Sequence, residues 1–248
     1  MTGAIYSAAS GLNYNSQVVD TAANNLANAV TSGYQSRSLQ ASAQAGGGVA
    51  ASGVRYDFSG GPLLQTGQAS SLAISGQGYF QVETSGGDTS YTRSGDFVQD
   101  AQGYLRTPDG GYLVSGGSRV QAPAGSSLSV GSGGAITATL SDGSTQNLGT
   151  LQLANFSNSQ GLTPTGGGLY SPSAASGQAS TGSPGTGGMG TVVSGALEIS
   201  NVDPATEMVS MIVGQRGFEA NVKTIQVSDE MLRKAYEMVD TKKHHGDA

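Results

Sequence analysis

The residues whose types could do chemistry are two histidines and three aspartates. His244 and His245 stand side by side within the last five residues, where a chain end is expected to fray. A Ser–His–Asp triad would have to recruit that end, and two adjacent histidines without nearby carboxylates make a poor metal site. Asp96, Asp100 and Asp109 could supply an acid–base pair for glycoside hydrolysis, but their surroundings are more typical of turns between hairpin strands. We therefore predict no catalytic residues and no metal site.

A glycine-rich stretch and the absence of cysteine bear on cofactor binding. Residues 185–190 read GTGGMG and satisfy the G-x-G-x-x-G pattern of nucleotide-binding turns. The pattern neither follows an evident strand nor opens a helix, so chance explains it. No Gly-Lys pair exists, which excludes a P-loop, and the lack of cysteine excludes disulfides, thiolate chemistry and cysteine-bound clusters. We predict no cofactor.

Composition restricts the classes of partner. The chain has 248 residues with 40 Gly, and only 11% of residues are charged, which gives a net charge of −6. This balance disfavours nucleic acid and anionic lipid as partners, because no basic patch could neutralise phosphates. No run of about 18 apolar residues could span a membrane. The first residues also lack the basic and apolar regions of a cleaved signal peptide, so we expect neither a membrane span nor a Sec-type leader.

The first thirty residues are predicted to form a helix with a narrow apolar stripe. Its large apolar residues recur every seven positions, at Ile5, Leu12, Val19 and Leu26. The companion heptad position holds mostly small residues, at Ala8, Asn15, Ala22 and Ala29. The helix is expected to stop at Gly33, since glycine readily adopts the left-handed conformation that terminates helices.

A longer helix is predicted to follow Asp203-Pro204, which supply an N-cap and a proline at the first helical position. Its heptad seam consists of Met208, Met211, Gln215, Phe218, Val222, Ile225, Asp229, Leu232, Tyr236 and Val239. Gly214 and Gly217 fall inside it and are expected to loosen the helix locally. At about 1.5 Å per residue the helix would extend roughly 50–55 Å, which is too long for a compact chain of this size to bury.

The two terminal helices could be arranged in two ways. Each could pack as an amphipathic helix on its own domain. Alternatively, the two stripes pair with each other as a coiled coil and with neighbouring copies, since neither is wide enough to be stable alone in water. We favour the coiled coil, whose assembly positions would be Ile5, Leu12, Val19, Leu26, Met208, Met211, Phe218, Val222, Ile225 and Leu232.

Polar residues beside these stripes are candidates for setting the register of the helices or for contacting neighbouring subunits. They are Asn24, Asn25, Asn28, Gln215 and Arg216. A solvated helix face is the alternative interpretation, and the sequence is equally compatible with both.

Between the helices the pattern changes to short apolar runs separated by turn signals such as Asp142-Gly143. Candidate strands lie at 72–74, 79–82, 91–93, 104–107, 111–114, 136–140 and 151–156. The chain is therefore predicted to be α+β, with long N- and C-terminal helices pairing as a coiled coil, a central small all-β domain and extended Gly/Ser-rich connectors. The predicted segments are the N-terminal helix (1–32), an extended connector (33–70), the β domain (71–157), an uncharged Gly/Ser-rich loop (158–199), the C-terminal helix (200–243) and a tail (244–248).

Motifs at both ends and in the middle resemble one known family. Near the N-terminus, SGL at 10–12 is followed by ANNLAN at 23–28 and TSGY at 31–34. Residues 72–82 read LAISGQGYFQV and residues 91–97 read YTRSGDF. Near the C-terminus, residues 194–203 read SGALEISNVD and residues 208–221 read MVSMIVGQRGFEAN. In this order the motifs resemble those of the bacterial flagellar rod and hook proteins, and the resemblance spans nearly the whole chain.

The resemblance implies a structural subunit whose terminal helices form an inner coiled-coil domain, with a β domain outside it. Such subunits polymerise into a helical tube that transmits torque and encloses the export channel. The implied partners are copies of the chain itself, other rod and hook proteins, the surrounding basal-body rings and the flagellar export apparatus. The implied location is the basal body in the periplasmic space, reached by type III export without a cleaved signal.

Within the family, the chain length and the segment 148–156 with its following loop look most like the distal rod. A proximal-rod paralogue and a hook protein are the alternatives. Two functions of another class also stay open: a secreted β-rich binding module or phage-tail-like component, and a cell-wall hydrolase dependent on Asp96 or Asp100. Neither accounts for both terminal stripes together with the order of the motifs.

Overall fold

The computed structural model describes residues 2–123 and 125–244, with side chains described for residues 3–123 and 125–238. Helix α1 (Thr2–Ala27) and helix α2 (Pro204–His244) flank a long run of strands, so the predicted α+β class is confirmed. Of the predicted tail, residues 245–248 lie outside the described residues, and His244 is the last residue of α2.

Helix α1 ends at Ala27, six residues before the predicted stop at Gly33, because residues 28–33 already form turns and a bend. Helix α2 begins where the capping chemistry predicts. The Asp203 carboxylate accepts a hydrogen bond from the Ala205 N–H at 3.0 Å and one from the Thr206 hydroxyl at 2.7 Å, which confirms the predicted N-cap. These two bonds, the one from Thr206 foremost, lower the pKa of Asp203. Helix α2 runs unbroken through Gly214 and Gly217, so neither glycine interrupts it. Its 41 residues extend about 60 Å.

The chain divides into two compact units, and the first contains both helices. Among the described residues it comprises 2–27, 37–55 and 203–244. Strand β1 (Arg37–Ala43) pairs with β2 (Val49–Tyr56) in a two-stranded sheet. The Gln44 N–H donates to the Gly48 carbonyl at 3.1 Å and closes the connecting turn. The Ser10 hydroxyl of α1 accepts from the Val49 N–H at 3.1 Å, so the start of β2 lies beside α1.

The second unit, residues 28–36 and 56–202, is built on an eight-stranded sheet. Its strands are β5 (Phe80–Glu83), β6 (Thr89–Thr92), β7 (Val98–Gln99), β8 (Leu105–Arg106), β9 (Tyr112–Ser115), β10 (Ser118–Arg119), β15 (Thr163–Gly166) and β16 (Leu169–Ser171). Their order in the sheet is β15-β16-β6-β5-β9-β8-β7, with β10 paired to β9. All of its pairings are antiparallel.

Smaller sheets complete this unit. A three-stranded antiparallel sheet contains β11 (Ser127–Val130), β12 (Ala135–Thr139) and β13 (Thr145–Thr150). Three further antiparallel pairs join distant parts of the chain: β14 (Leu153–Asn155) with β17 (Ser180–Gly182), β4 (Leu72–Ser75) with β18 (Thr191–Ser194), and β3 (Leu63–Gln65) with β19 (Ala196–Glu198).

Two apolar cores hold the second unit together. The larger contains Phe80 and Phe97, whose rings meet edge to face at 5.4 Å, together with aliphatic side chains from the surrounding strands. The smaller is aromatic and includes Tyr91 and Phe156, with ring centroids 4.9 Å apart. Every run predicted as a strand between 72 and 156 overlaps a strand of this unit.

The segments predicted as connectors differ from the expectation. Residues 33–70 contain β1, β2 and β3, and residues 158–199 contain β15 to β19 with a one-turn 3₁₀ helix at Ser159–Gly161. These strands consist largely of Ser, Thr, Gly and Ala and therefore lack apolar alternation. Strands β18 and β19 form by pairing with β4 and β3, more than a hundred residues earlier, and a local pattern cannot report such pairing.

Candidate assembly surface

Helices α1 and α2 lie against each other and run in opposite directions. The facing residues are Gly11 and Asn221, Asn15 and Gly217, and Val19 and Gly214. A Cβ added to any of these three glycines would lie 2.6 to 2.8 Å from the facing side chain. A side chain at any of these three positions would therefore have to displace the facing side chain, so glycine favours the close approach of the two helices.

The centre of the interface is made of small residues. Ala8 and Ala22 of α1 are only 3% and 2% exposed, and Gly214 and Ser228 of α2 are buried. On α2 these positions belong to one heptad series, with Asn221 midway between Gly214 and Ser228. Small side chains bury little apolar area, so this interface by itself contributes modestly to stability.

Of the ten predicted assembly positions, Val19 faces Gly214 in this interface. None of the ten is fully buried within the chain. Eight are half-buried: Ile5, Leu12, Val19, Leu26, Met211, Val222, Ile225 and Leu232. Met208 and Phe218 are 50% and 42% exposed.

The face of α2 that meets α1 is displaced by one residue from the predicted seam. Gly214 is buried where the sequence pattern selects Gln215, and Ser228 is buried where it selects Asp229. Apolar periodicity in a sequence picks out large side chains, whereas two helices that approach closely need small side chains between them. The recurrence of Gly, Asn and Ser at 214, 221 and 228 is the signal that could have revealed this face.

Asn25 is the one predicted polar residue at the centre of a hydrogen-bond network. It is fully buried. Its Nδ2 donates to the Arg37 carbonyl at 2.7 Å and to Glu207 Oε1 at 2.8 Å, and its Oδ1 accepts from the Arg37 N–H at 3.2 Å. Asn24 accepts a hydrogen bond from the Arg37 guanidinium. Asn25 thus joins the last turn of α1, the start of β1 and the first turn of α2; sequence reasoning missed Arg37 and Glu207.

The remaining predicted polar residues are Asn28, Gln215 and Arg216. Asn28 belongs to the second unit, where its Oδ1 accepts from the Thr31 hydroxyl at 3.2 Å. Gln215 is exposed, and Arg216 is exposed in an ion pair with Glu219 at 3.3 Å. The contacts given for Asn28 and Arg216 each join residues three positions apart.

A row of apolar side chains on α2 points away from α1. At 3.6 residues per turn, Val209 and Val227 lie about 140° around the helix from the buried Gly214, and Val213 and Met231 lie about 100° from it. The four side chains are 42% to 63% exposed. Ile212 is 57% exposed beside them. We call Val209, Ile212, Val213, Val227 and Met231 the outer strip. These side chains form two exposed apolar groups, 209–213 and 227–231, separated by about 21 Å of helix. Exposed apolar groups of this kind are candidates for an interaction surface.

Asp100, one of the three aspartates whose type could do chemistry, lies in a turn. Asp100 Oδ1 accepts from the N–H groups of Gln102 and Tyr104, so Asp100 closes a turn, as the hairpin interpretation predicts. Residues 185–190 lie between β17 and β18 and open no helix. Among the described side chains, those of residues 3–123 and 125–238, no three of His, Cys, Asp or Glu are grouped as a metal site would need. None of the helices described there has the length and apolar character to cross a membrane.

Three family models match successive parts of the chain. Residues 5–35 match "Flagella basal body rod protein", residues 73–138 match "Flagellar hook protein FlgE/F/G D1 domain", and residues 193–238 match "Flagellar basal body rod FlgEFG protein C-terminal". The first and last matches cover the regions of α1 and α2, and the middle match lies in the β domain.

Individual rod proteins are similar to nearly the whole chain. The flagellar basal-body rod protein FlgG of Bacillus subtilis strain 168 is 36% identical over 98% of this chain and 100% of its own length. FlgG of Agrobacterium fabrum strain C58 is 36% identical over 90% of this chain and 94% of its own. The flagellar hook protein FlgE of Escherichia coli K12 is 42% identical, but over only 43% of this chain and 26% of its own. The chain therefore belongs to the flagellar basal-body rod and hook protein family.

Proposed function

We propose that this chain is a structural subunit of the flagellar basal-body rod, in its distal part. The observation that carries the proposal is the full-length similarity to FlgG rod proteins. Similarity to the hook protein covers only a quarter of that protein, so a hook subunit is the weaker candidate. A proximal-rod paralogue is the other alternative within the family.

In this role, copies of the chain polymerise into a helical tube through their paired terminal helices, which act as a coiled coil. The outer strip and the half-buried positions on both helices supply the apolar surface for this packing. Complete burial of one Val or Met side chain contributes about 1.5–3 kcal/mol, against about 1–2 kcal/mol for ordering the backbone of each residue. The helices of an isolated subunit are therefore marginal, and neighbouring copies stabilise them.

The tube would transmit torque and enclose the export channel, with other rod and hook proteins, the basal-body rings and the export apparatus as partners. Its place would be the basal body in the periplasmic space, reached without a cleaved signal. The role is mechanical and needs no catalytic residue.

Substitution of Leu26 by Asp tests the assembly role. A charge at this half-buried position of α1 should abolish rod assembly and motility while the β domain stays folded. Ser16→Asp is the matched control, because it adds the same charge at an exposed position of the same helix. Normal motility of the Leu26→Asp strain would contradict the proposal.

Cryo-electron microscopy of hook–basal bodies locates the subunit. A small tag inserted at the exposed Asp142-Gly143 turn has open space around Gly143. Tag density around the shaft beneath the hook is expected, and its height separates distal from proximal rod. Density on the hook would favour the hook protein, and no density in particles from motile cells would overturn the rod assignment.

A further inference from the structure

A buried ion pair lies in the second unit, at residues contributed by two of the family motifs. Arg93 and Glu198 are 5% and 1% exposed, and Arg93 Nη2 lies 2.7 Å from Glu198 Oε2. Arg93 Nη1 also donates to the carbonyls of Gly76 and Gly78 at 2.9 and 2.7 Å. The guanidinium is thus held in one orientation by a carboxylate and by backbone carbonyls.

Glu198 extends this arrangement to two further segments. Its Oε1 accepts from the Gly61 N–H at 3.1 Å, and its backbone carbonyl accepts from the Gly33 N–H at 2.8 Å. Gly33 has φ +65°, and a Cβ there would lie 2.2 Å from the Ser94 nitrogen, so the segment after α1 packs tightly beside Arg93. Burial raises the pKa of Glu198, and Arg93 opposes that rise.

Asn201 ties the same segments together a second time. Its Oδ1 accepts from the Ser36 N–H at 2.8 Å. Its Nδ2 donates to the carbonyls of Asp57 and Ser59 at 2.8 and 2.9 Å. We call Arg93, Glu198 and Asn201 the clasp.

The segments joined by the clasp are those through which the chain leaves the second unit. The chain passes from one unit to the other after residues 27, 36, 55 and 202. Residues 28–36, 56–61 and 196–202 of the second unit adjoin these points, and each is hydrogen-bonded to Glu198 or Asn201 or contains one of them.

We propose that the clasp locks these three segments into one mechanical element, so that a load entering the β domain along any of them is shared by all. The proposal rests on the proposed function, since it assigns the clasp a part in torque transmission. The stability of the fold does not by itself require a buried ion pair at this place. A buried ion pair often contributes little net stability, and apolar side chains of similar size can replace it, whereas the fixed donors of an arginine define a geometry.

The decisive variant is the double substitution Arg93→Met with Glu198→Met, which replaces the pair by apolar side chains of similar length. Its control is Arg119→Met with Glu83→Met, which removes an exposed ion pair of 2.8 Å from the same unit. Amide hydrogen exchange of the purified full-length chain is followed at Gly33 and Ser36. Both amides keep their acceptors in the variant, because these are the backbone carbonyl of residue 198 and the side chain of Asn201.

We expect exchange at Gly33 and Ser36 to accelerate at least tenfold together in the clasp variant, and to stay unchanged in the control. Strand β5 should keep its protection in both. Rods should assemble in normal number in cells carrying the clasp variant, while swimming fails selectively in viscous medium. If the double variant does not fold, the same exchange measurement is made on Arg93→Lys. Lysine keeps the positive charge but lacks the planar set of guanidinium N–H donors.

Unchanged exchange at Gly33 and Ser36 would overturn the clasp, as would swimming in viscous medium equal to that of the control. Failure of the proposed function looks different. If the unmodified chain is absent from rods, the rod role fails, whereas the exchange result still decides whether the three segments are locked together.

Discussion

The two units of this chain use apolar residues in opposite ways. In the β domain, the large side chains of Phe80, Phe97 and Leu113 are at most 1% exposed. In the helical unit, the buried apolar side chains among the described residues are those of Ala8 and Ala22, while large apolar residues on α2 stay exposed. The β domain buries large apolar side chains in its core, whereas the helical unit buries small ones and leaves large ones exposed.

Glycine shows the same division. In the β domain, glycines such as Gly110 and Gly143 adopt positive φ at turns between strands. In the helical unit, Gly11, Gly214 and Gly217 lie within helices and let the two backbones approach. One residue type therefore serves chain reversal in the β domain and close helix contact in the other.

The largest effect is expected in the β domain core. Phe80→Ala should lower the free energy of unfolding of the β domain by about 3–5 kcal/mol, because it leaves a cavity beside Phe97. Leu12→Ala, at a half-buried helix position, should change the stability of the isolated chain much less. Urea denaturation followed by tyrosine fluorescence measures both. Equal losses would contradict the contrast between the units.

Gly214→Leu tests the close helix contact. The new side chain would meet Val19, whose Cγ2 lies 2.8 Å from the position of a Cβ, and should destabilise the helix pair by about 1–3 kcal/mol. Gly3→Leu is the control, since a Cβ at Gly3 has nothing within 4 Å. Circular dichroism should show lost helix only in the Gly214 variant, and retention of helix there would mean that the contact is dispensable.

Asn25→Ala examines the polar link in the helical unit. Its loss leaves the Arg37 backbone groups and the Glu207 carboxylate without their buried partner, at a cost of about 1–3 kcal/mol. Asn13→Ala removes an amide from an exposed position of the same helix and should cost less than about 0.5 kcal/mol. Thermal unfolding of both variants is followed by the helical circular dichroism signal. Equal unfolding midpoints for the two variants would contradict a register role for Asn25.

The smallest effect on the isolated chain is expected at the outer strip. Val213 is 63% exposed, so Val213→Asp should change the stability of the monomer by less than about 0.5 kcal/mol. The same change should block rod assembly, because the charge would be buried between copies. Gln226→Asp, at another exposed position of α2, should leave assembly intact. Motile cells carrying Val213→Asp would show that the outer strip is not an assembly surface.

The sequence by itself determined the elements whose signals are local. The Asp203-Pro204 cap, the two long helices and the apolar strands between 72 and 156 all follow from capping chemistry and short-range periodicity. The motif order was also enough to indicate the family. Turn positions such as Asp100 were predictable for the same reason, since an aspartate and its backbone partners are neighbours in the chain.

Only the tertiary structure decided which faces and segments meet. It placed Gly214 rather than Gln215 against α1, paired β18 with β4 and β19 with β3, and brought Arg93 to Glu198 from 105 residues away. Each of these depends on partners distant in sequence. Small and polar residues give little periodic signal in a sequence. They allow two helices to approach closely or they form directed hydrogen bonds, and both effects depend on a partner residue that the sequence pattern does not identify.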